Sequence, residues 1–122
     1  LDADQIIEEM QFASAMVIPS FIENCSTSMQ EAMLIGVPLA VSYAGGMPSI
    51  AQDEESALFF PMGDDAVCAF QLERLLTDKE LTCRLSRQAR QVAAHRNDPQ
   101  RLIARQLEIY RHVVLDGQGD LL

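Results

Sequence analysis

Pro19-Ser-Phe-Ile-Glu23-Asn-Cys-Ser-Thr-Ser-Met-Gln-Glu31-Ala-Met-Leu-Ile-Gly36-Val-Pro38 is the stretch that decides the fold of this 122-residue chain. An apolar run, Ala15-Met-Val-Ile18, stops at Pro19-Ser20. A short polar loop follows, then an apolar helix that Gly36 terminates. Two carboxylates, Glu23 and Glu31, therefore flank the point where a buried strand hands over to a helix N-terminus. In an open α/β sheet, the carboxyl ends of the strands and the neighbouring helix N-termini form the ligand crevice. Such an N-terminus offers free backbone N–H groups and partial positive charge, which suits phosphate. The carboxylates themselves suit hydroxyl donors on whatever carries that phosphate.

Working outward, the pattern alternates helix and strand. A helix is expected over about 4–14, with Ile6, Met10 and Ala13 on one face, and a short buried strand over 15–18. The central helix covers 26–35. A second buried strand covers 38–43, apolar without alternation as a two-sided parallel strand should be. Ala44-Gly45-Gly46-Met-Pro48 is a turn, with one helical turn near 49–52 and a third strand over 57–60. Beyond Gly63 the chain is all helix. One helix runs from Asp64-Asp65 to about Thr77, burying Val67, Phe70 and Leu75. A second, to about His95, places Leu81, Leu85, Ala89 and Val92 on one face. Asn97-Asp98-Pro99 starts the last helix, a capping residue with Pro at the first helical position. It carries Ile103, Leu107, Tyr110 and Val114 on one stripe, and residues 116–122 are expected to fray. Three strands are few for a parallel sheet that needs both faces and edges covered. The expectation is one partial domain over 1–122, the second half of a doubly wound Rossmann-like unit, and the missing initiator Met points the same way. Its open sheet edge would favour self-association.

Composition narrows the function. Apolar residues make up 48% and charged residues 22%, which is ordinary globular composition. No apolar run reaches the roughly 20 residues of a membrane span, and no signal-peptide pattern is present. The net charge of −9 is unevenly spread. Residues 1–61 contain no Lys, Arg or His, whereas acidic and basic residues cancel in 62–122. A nucleic-acid partner needs a basic stripe that the half carrying the loop lacks. Cys25, Cys68 and Cys83 form no CxxC pair and have no His at ligand spacing. Neither a metal site nor a disulfide framework is expected, and a cytoplasmic protein is the default. A nucleophilic Cys25 would want a His partner, and His95 and His112 both lie in the C-terminal helices.

Taken in order, Pro19-Ser20, Glu23 with Glu31 eight positions on, Ala32-Met33-x-x-Gly36-x-Pro38, Gly45-Gly46-x-Pro48 and Gly63-Asp64 resemble the retaining group 1 glycosyltransferases of the GT-B fold. Glycogen-synthase-like and phosphatidylinositol mannosyltransferase-like enzymes belong to that clan. The resemblance runs from about Phe12 to His95, and the ordered set is far more specific than an isolated E-x7-E. It implies a nucleoside diphosphate sugar as donor, UDP- or GDP-linked, no cofactor and no metal. Glu23 would touch donor-sugar hydroxyls near the reacting centre. Asn24, Cys25, Ser26 and Thr27 would present backbone N–H groups to sugar and diphosphate. Glu31 would accept from the ribose hydroxyls, and Gly45-Gly46 would form a turn near the donor. The family's phosphate-binding Arg/Lys pair and its acceptor-binding N-terminal domain lie upstream, so the chain alone would be inactive. In the longer protein, peripheral membrane attachment would be compatible with this reading. Ser49 stands where the family commonly has Glu; it could still cap the short helix.

Plainer readings stand beside these. Ser28-Met-Gln-Glu31 and Thr27-Ser-Met-Gln30 each fit a capping box, and Glu23 could be a solvated loop charge. Gly45-Gly46 could be turn chemistry alone. Asp53-Glu54-Glu55 reads as a solvated loop. Arg84, Arg87, Arg90 and Arg96 read as an exposed face, with Glu80 one turn before Arg84. At the level of function, the alternatives are a non-catalytic nucleotide-sugar or protein-binding module of the same fold, and a nucleotide-sugar epimerase of GT-B type.

Overall fold

The computed structural model describes residues 2–116. Helix α1 (Ala3–Phe12) leads to β1 (Met16–Ile18), α2 (Thr27–Ile35), β2 (Leu39–Ser42), the single turn α3 (Met47–Ile50) and β3 (Leu58–Phe60). Three helices follow: α4 (Asp65–Thr77), α5 (Lys79–Arg96) and α6 (Pro99–Arg111), the last continuing as a π-helical segment to Asp116. The expected fraying of 116–122 lies, beyond Asp116, outside the described residues. The sheet is wholly parallel in the order β1-β2-β3, with Val17 opposite Ala40 and Val41 opposite Phe59.

The central strand explains the layering. All four residues of β2 are buried, and successive side chains face opposite ways. Leu39 and Val41 join Ile18 and Phe59 under α2, α3 and the second half of α5, where Met29, Met33, Met47 and Ala89 fill the space. Ala40 joins Leu58 and Phe60 on the other face, under α4 and the start of α5, through Leu75, Leu81 and Leu85. Helix α5 thus contributes side chains to both clusters. Phe70, expected in the core, is instead 57% exposed. The buried face of α4 is set by Gln71 and Leu75, with Val67, Cys68 and Leu72 beside it, which turns Phe70 outward, where its ring lies under the Arg74 guanidinium.

Other boundaries moved for local reasons. Ala13 falls beyond α1 as its C-cap. The short helix begins at Met47, because Pro48 fits the first turn, where a missing N–H costs nothing. Ser49 does not cap it: its hydroxyl donates back to the Gly46 carbonyl at 2.7 Å.

Two expected surface features proved to be fasteners. Asp53 is no solvated charge: one carboxylate oxygen accepts from the Phe59 N–H at 2.8 Å and the other from the Tyr43 hydroxyl at 3.0 Å. Glu54 has a left-handed φ of 62° and forms a two-pronged pair with Arg74, while Arg84 donates to its carbonyl at 2.8 Å. The arginines of α5 are exposed as expected, but three of them also reach backbone carbonyls. Arg90 donates twice to the Ile35 carbonyl at the C-terminus of α2, and Arg96 donates to the Ser49 carbonyl at 2.9 Å. The expected Glu80–Arg84 pair does not form, since Glu54 offers Arg84 a fixed carbonyl.

The Glu54 clasp has a pH signature. Its hydrogen bond from Arg74 is the largest influence and holds the carboxyl below the ordinary 4.5, against an opposing desolvation and with help from the Arg74 and Arg84 charges. A lowered folded value gives stability that is full above 4.5 and lost as pH falls through the folded value. Both partners are partly exposed, so the contribution stays below about 1 kcal/mol. We expect Glu54→Gln to flatten the acid limb of a thermal-melting profile below pH 4.5 by that small amount. An acid limb identical to that of the unmodified protein would show the clasp to be energetically idle.

Candidate functional site

The site is assembled at the carboxyl ends of β1 and β2. After Ile18 the chain leaves the sheet, and the buried Ser42 at the end of β2 ties it down. Its hydroxyl lies 2.6 Å from the Ser20 carbonyl oxygen and 3.3 Å from that of Ile18. Beyond this anchor the loop is open, with Ile22 94% exposed. Glu23 is half-buried; its carboxylate accepts from the Asn24 N–H at 3.1 Å. Asn24 and Cys25 are exposed, and the Cys25 sulfur accepts from the Gln30 side-chain amide at 3.3 Å.

Helix α2 starts at Thr27, and Ser26 is its N-cap, accepting from the Met29 N–H at 3.2 Å. That assignment removes both alternative capping boxes. The third helical position is Met29, so Glu31 lies two residues too far along to reach the cap. The Ser26 side chain is buried and committed to the helix. Met29 and Gln30 find acceptors at Ser26, whereas the N–H groups of Thr27 and Ser28 have none within the helix. Glu31 is exposed on the next turn and makes no hydrogen bond or ion pair among the described residues. It stands on the wall of an apolar groove of about 300 Å³ between α1 and α2, lined by Ala3, Ile6, Ile7, Met10, Leu34 and Ile35.

Gly45 and Gly46 have a structural task that their sequence shows only as a turn. The Gly46 N–H points to the Glu23 carbonyl at 3.4 Å. A Cβ placed on Gly45 would come 1.6 Å from that same oxygen, and one on Gly46 would come 2.1 Å from the Asn24 carbonyl oxygen. The two glycines therefore let the turn after β2 press on the backbone of the loop after β1. The structure brings together Glu23, Asn24, Gly45 and Gly46 as one packed pair of loops, with Cys25, Ser26 and Thr27 leading from it into α2. Sequence reasoning missed Ser42 as the anchor, because a Ser ending an apolar strand carries no local signal of a partner 22 residues away.

Among the described residues no helix is long and apolar enough to cross a membrane, and no group of three or more His, Cys, Asp or Glu could hold a metal ion.

The chain is similar in sequence and fold to known proteins. The sequence pattern of the glycosyl transferases group 1 family matches residues 1–92. The chain is 30% identical over 117 residues to D-inositol 3-phosphate glycosyltransferase of Saccharomonospora viridis, covering 96% of this chain and 27% of that protein. It is 26% identical over 116 residues to N-acetyl-alpha-D-glucosaminyl L-malate synthase of Bacillus anthracis, covering 95% and 30%. Among solved structures, sucrose-phosphate synthase of Thermosynechococcus elongatus superposes with a TM-score of 0.83 at 23% identity, covering 95% of this chain and 29% of that one. HepE of Anabaena, solved in complex with UDP, gives 0.76 at 22%, covering 88% and 30%. The chain thus spans less than a third of the length of these relatives. The α/β architecture and the match over three quarters of its length agree: this chain belongs to the group 1 glycosyltransferases, and its fold is that of a GT-B glycosyltransferase fragment.

Proposed function

We propose that the chain is the donor-nucleotide half of a retaining glycosyltransferase that moves a sugar from a UDP- or GDP-sugar to an acceptor. One observation carries the reading: the uncapped N–H groups of Thr27 and Ser28 open between the Glu23 loop and a partnerless Glu31. Glu23 meets donor-sugar hydroxyls near the reacting carbon, and the backbone of Asn24 to Thr27 takes the sugar and diphosphate. Glu31 accepts from the two ribose hydroxyls, the use a carboxylate has in dinucleotide sites. The apolar groove beside Glu31 is roomy enough for a planar base. Gly45 and Gly46 hold the sugar-side loop in place. The leaving group is a nucleoside diphosphate, so catalysis rests on stabilising its developing charge. Arg84, Arg90 and Arg96 are engaged on backbone carbonyls, and residues 1–61 hold no cation. The neutralising side chains therefore belong to the upstream part of a longer, cytoplasmic protein, and no metal is required.

The test is to screen UDP- and GDP-sugars on the longer protein for release of nucleoside diphosphate, with and without acceptor extracts. Release that rises with acceptor supports the proposal; binding without release would favour the non-catalytic module. The isolated chain should bind nucleotide weakly and turn over none. It should also self-associate, since β1 and β3 each pair on one side only. A strictly monomeric mass by sedimentation, with a cooperative melt, would refute the open-edge argument.

A further inference from the structure

The corner where α5 meets α6 reverses the charge of the rest of the molecule. His95 and Arg96 at the end of α5, with Arg101, Leu102, Arg105 and Glu108 of α6, line a cavity of about 410 Å³. The chain as a whole carries −9, yet three arginines and a histidine line this depression with one carboxylate, Glu108. The nearby Asp98 accepts from the Gln100 N–H, as the cap of α6. Glu108 forms no ion pair among the described residues.

The cations are exposed and have few protein partners. Arg101 donates to His95 Nδ1 at 2.7 Å, which leaves the ring proton on Nε2. Arg96 spends one donor on the Ser49 carbonyl. Arg105 has no partner among the described residues. A guanidinium has five N–H donors in a planar fork that matches phosphate oxygens. The corner therefore holds more than ten donors that no protein contact among the described residues occupies, facing water and the single carboxylate of Glu108, around a space that admits a small oxyanion. Exposed cations grouped on one face raise the local concentration of anions, an effect that salt screens.

The geometry points to a second anion site at this corner, separate from the proposed donor site and independent of that reading, which takes a phosphomonoester through Arg101, Arg105 and the His95 Nε2–H. That phosphate could belong to a soluble small molecule or to a lipid headgroup, and the two are separable by experiment. The longer protein would be titrated with inorganic phosphate by calorimetry, and sedimented with phosphatidylcholine vesicles with and without phosphatidic acid. The same would be done with Arg101→Gln/Arg105→Gln, with the conservative Arg101→Lys/Arg105→Lys, and with Arg87→Gln as a surface control. Saturable phosphate binding is expected, weakened at least about tenfold in the Gln pair, partly restored in the Lys pair and unchanged in the control. Phosphate binding without vesicle pelleting identifies a soluble phosphomonoester. Pelleting that requires phosphatidic acid, and that the Gln pair loses, identifies a lipid headgroup. No saturable heat and no such pelleting, or equal affinity in the Gln pair, would overturn the site.

Discussion

Glu31→Ala in the longer protein is expected to weaken UDP or GDP binding by about tenfold to a hundredfold. A hydrogen bond to a charged group contributes about 1.5–3 kcal/mol, and each 1.4 kcal/mol is a factor of ten. The carboxylate is free to make such bonds because the cap of α2 is Ser26, which leaves Glu31 exposed and partnerless on the following turn. For the same reason the substitution should leave the melting temperature nearly unchanged, within the ±0.5 kcal/mol usual for a surface site. That separation of affinity from stability is the discriminating feature. A capping Glu would lose stability and no nucleotide; a ribose ligand loses nucleotide and no stability. Calorimetric titration and thermal melting of the same two proteins decide it, and unaltered affinity would remove Glu31 from the site.

The legibility of this chain divides by range. Features set within one turn of helix or one strand were readable: the parallel strands from unalternating apolar runs, α6 from Asp98-Pro99, α2 from its Gly36 stop. Most of what failed depended on partners supplied by other elements of the fold. Asp53 and Glu54 read as solvated because their neighbours are polar, whereas their partners, Phe59, Arg74 and Arg84, come from β3, α4 and α5. The α5 arginines form the exposed face expected, but periodicity cannot show that Ile35 and Ser49 turn carbonyls toward Arg90 and Arg96. Phe70 read as core because aromatic residues usually are, and the competing face of Gln71 and Leu75 won. The candidate site followed the same rule. Its order of residues was visible through the family resemblance, but the reason for two adjacent glycines required seeing the Glu23 and Asn24 backbone against them.

Gly45→Ala should have the largest effect of any single substitution here. Gly45 has a φ of +45°, and its added methyl would fall 1.6 Å from the Glu23 carbonyl oxygen. Nothing flexible can yield, since the clash is with backbone, so the loop bearing Glu23 must move. A misplacement of about 1 Å near a reacting centre can cost roughly a hundredfold in rate, and the strained backbone adds about 1–3 kcal/mol of instability. Loss of folding alone could mimic loss of geometry, and Gly36→Ala separates the two. Gly36 has a comparable φ of +87°, but its new methyl would meet the movable end of the Arg90 side chain, on the C-terminal end of α2 away from Glu23. Gly36→Ala should therefore lower the melting temperature and leave sugar transfer, measured well below that temperature, close to the unmodified rate. Gly45→Ala should lower both. Transfer at the unmodified rate by Gly45→Ala would mean that the Glu23 loop tolerates displacement and does not position the donor sugar.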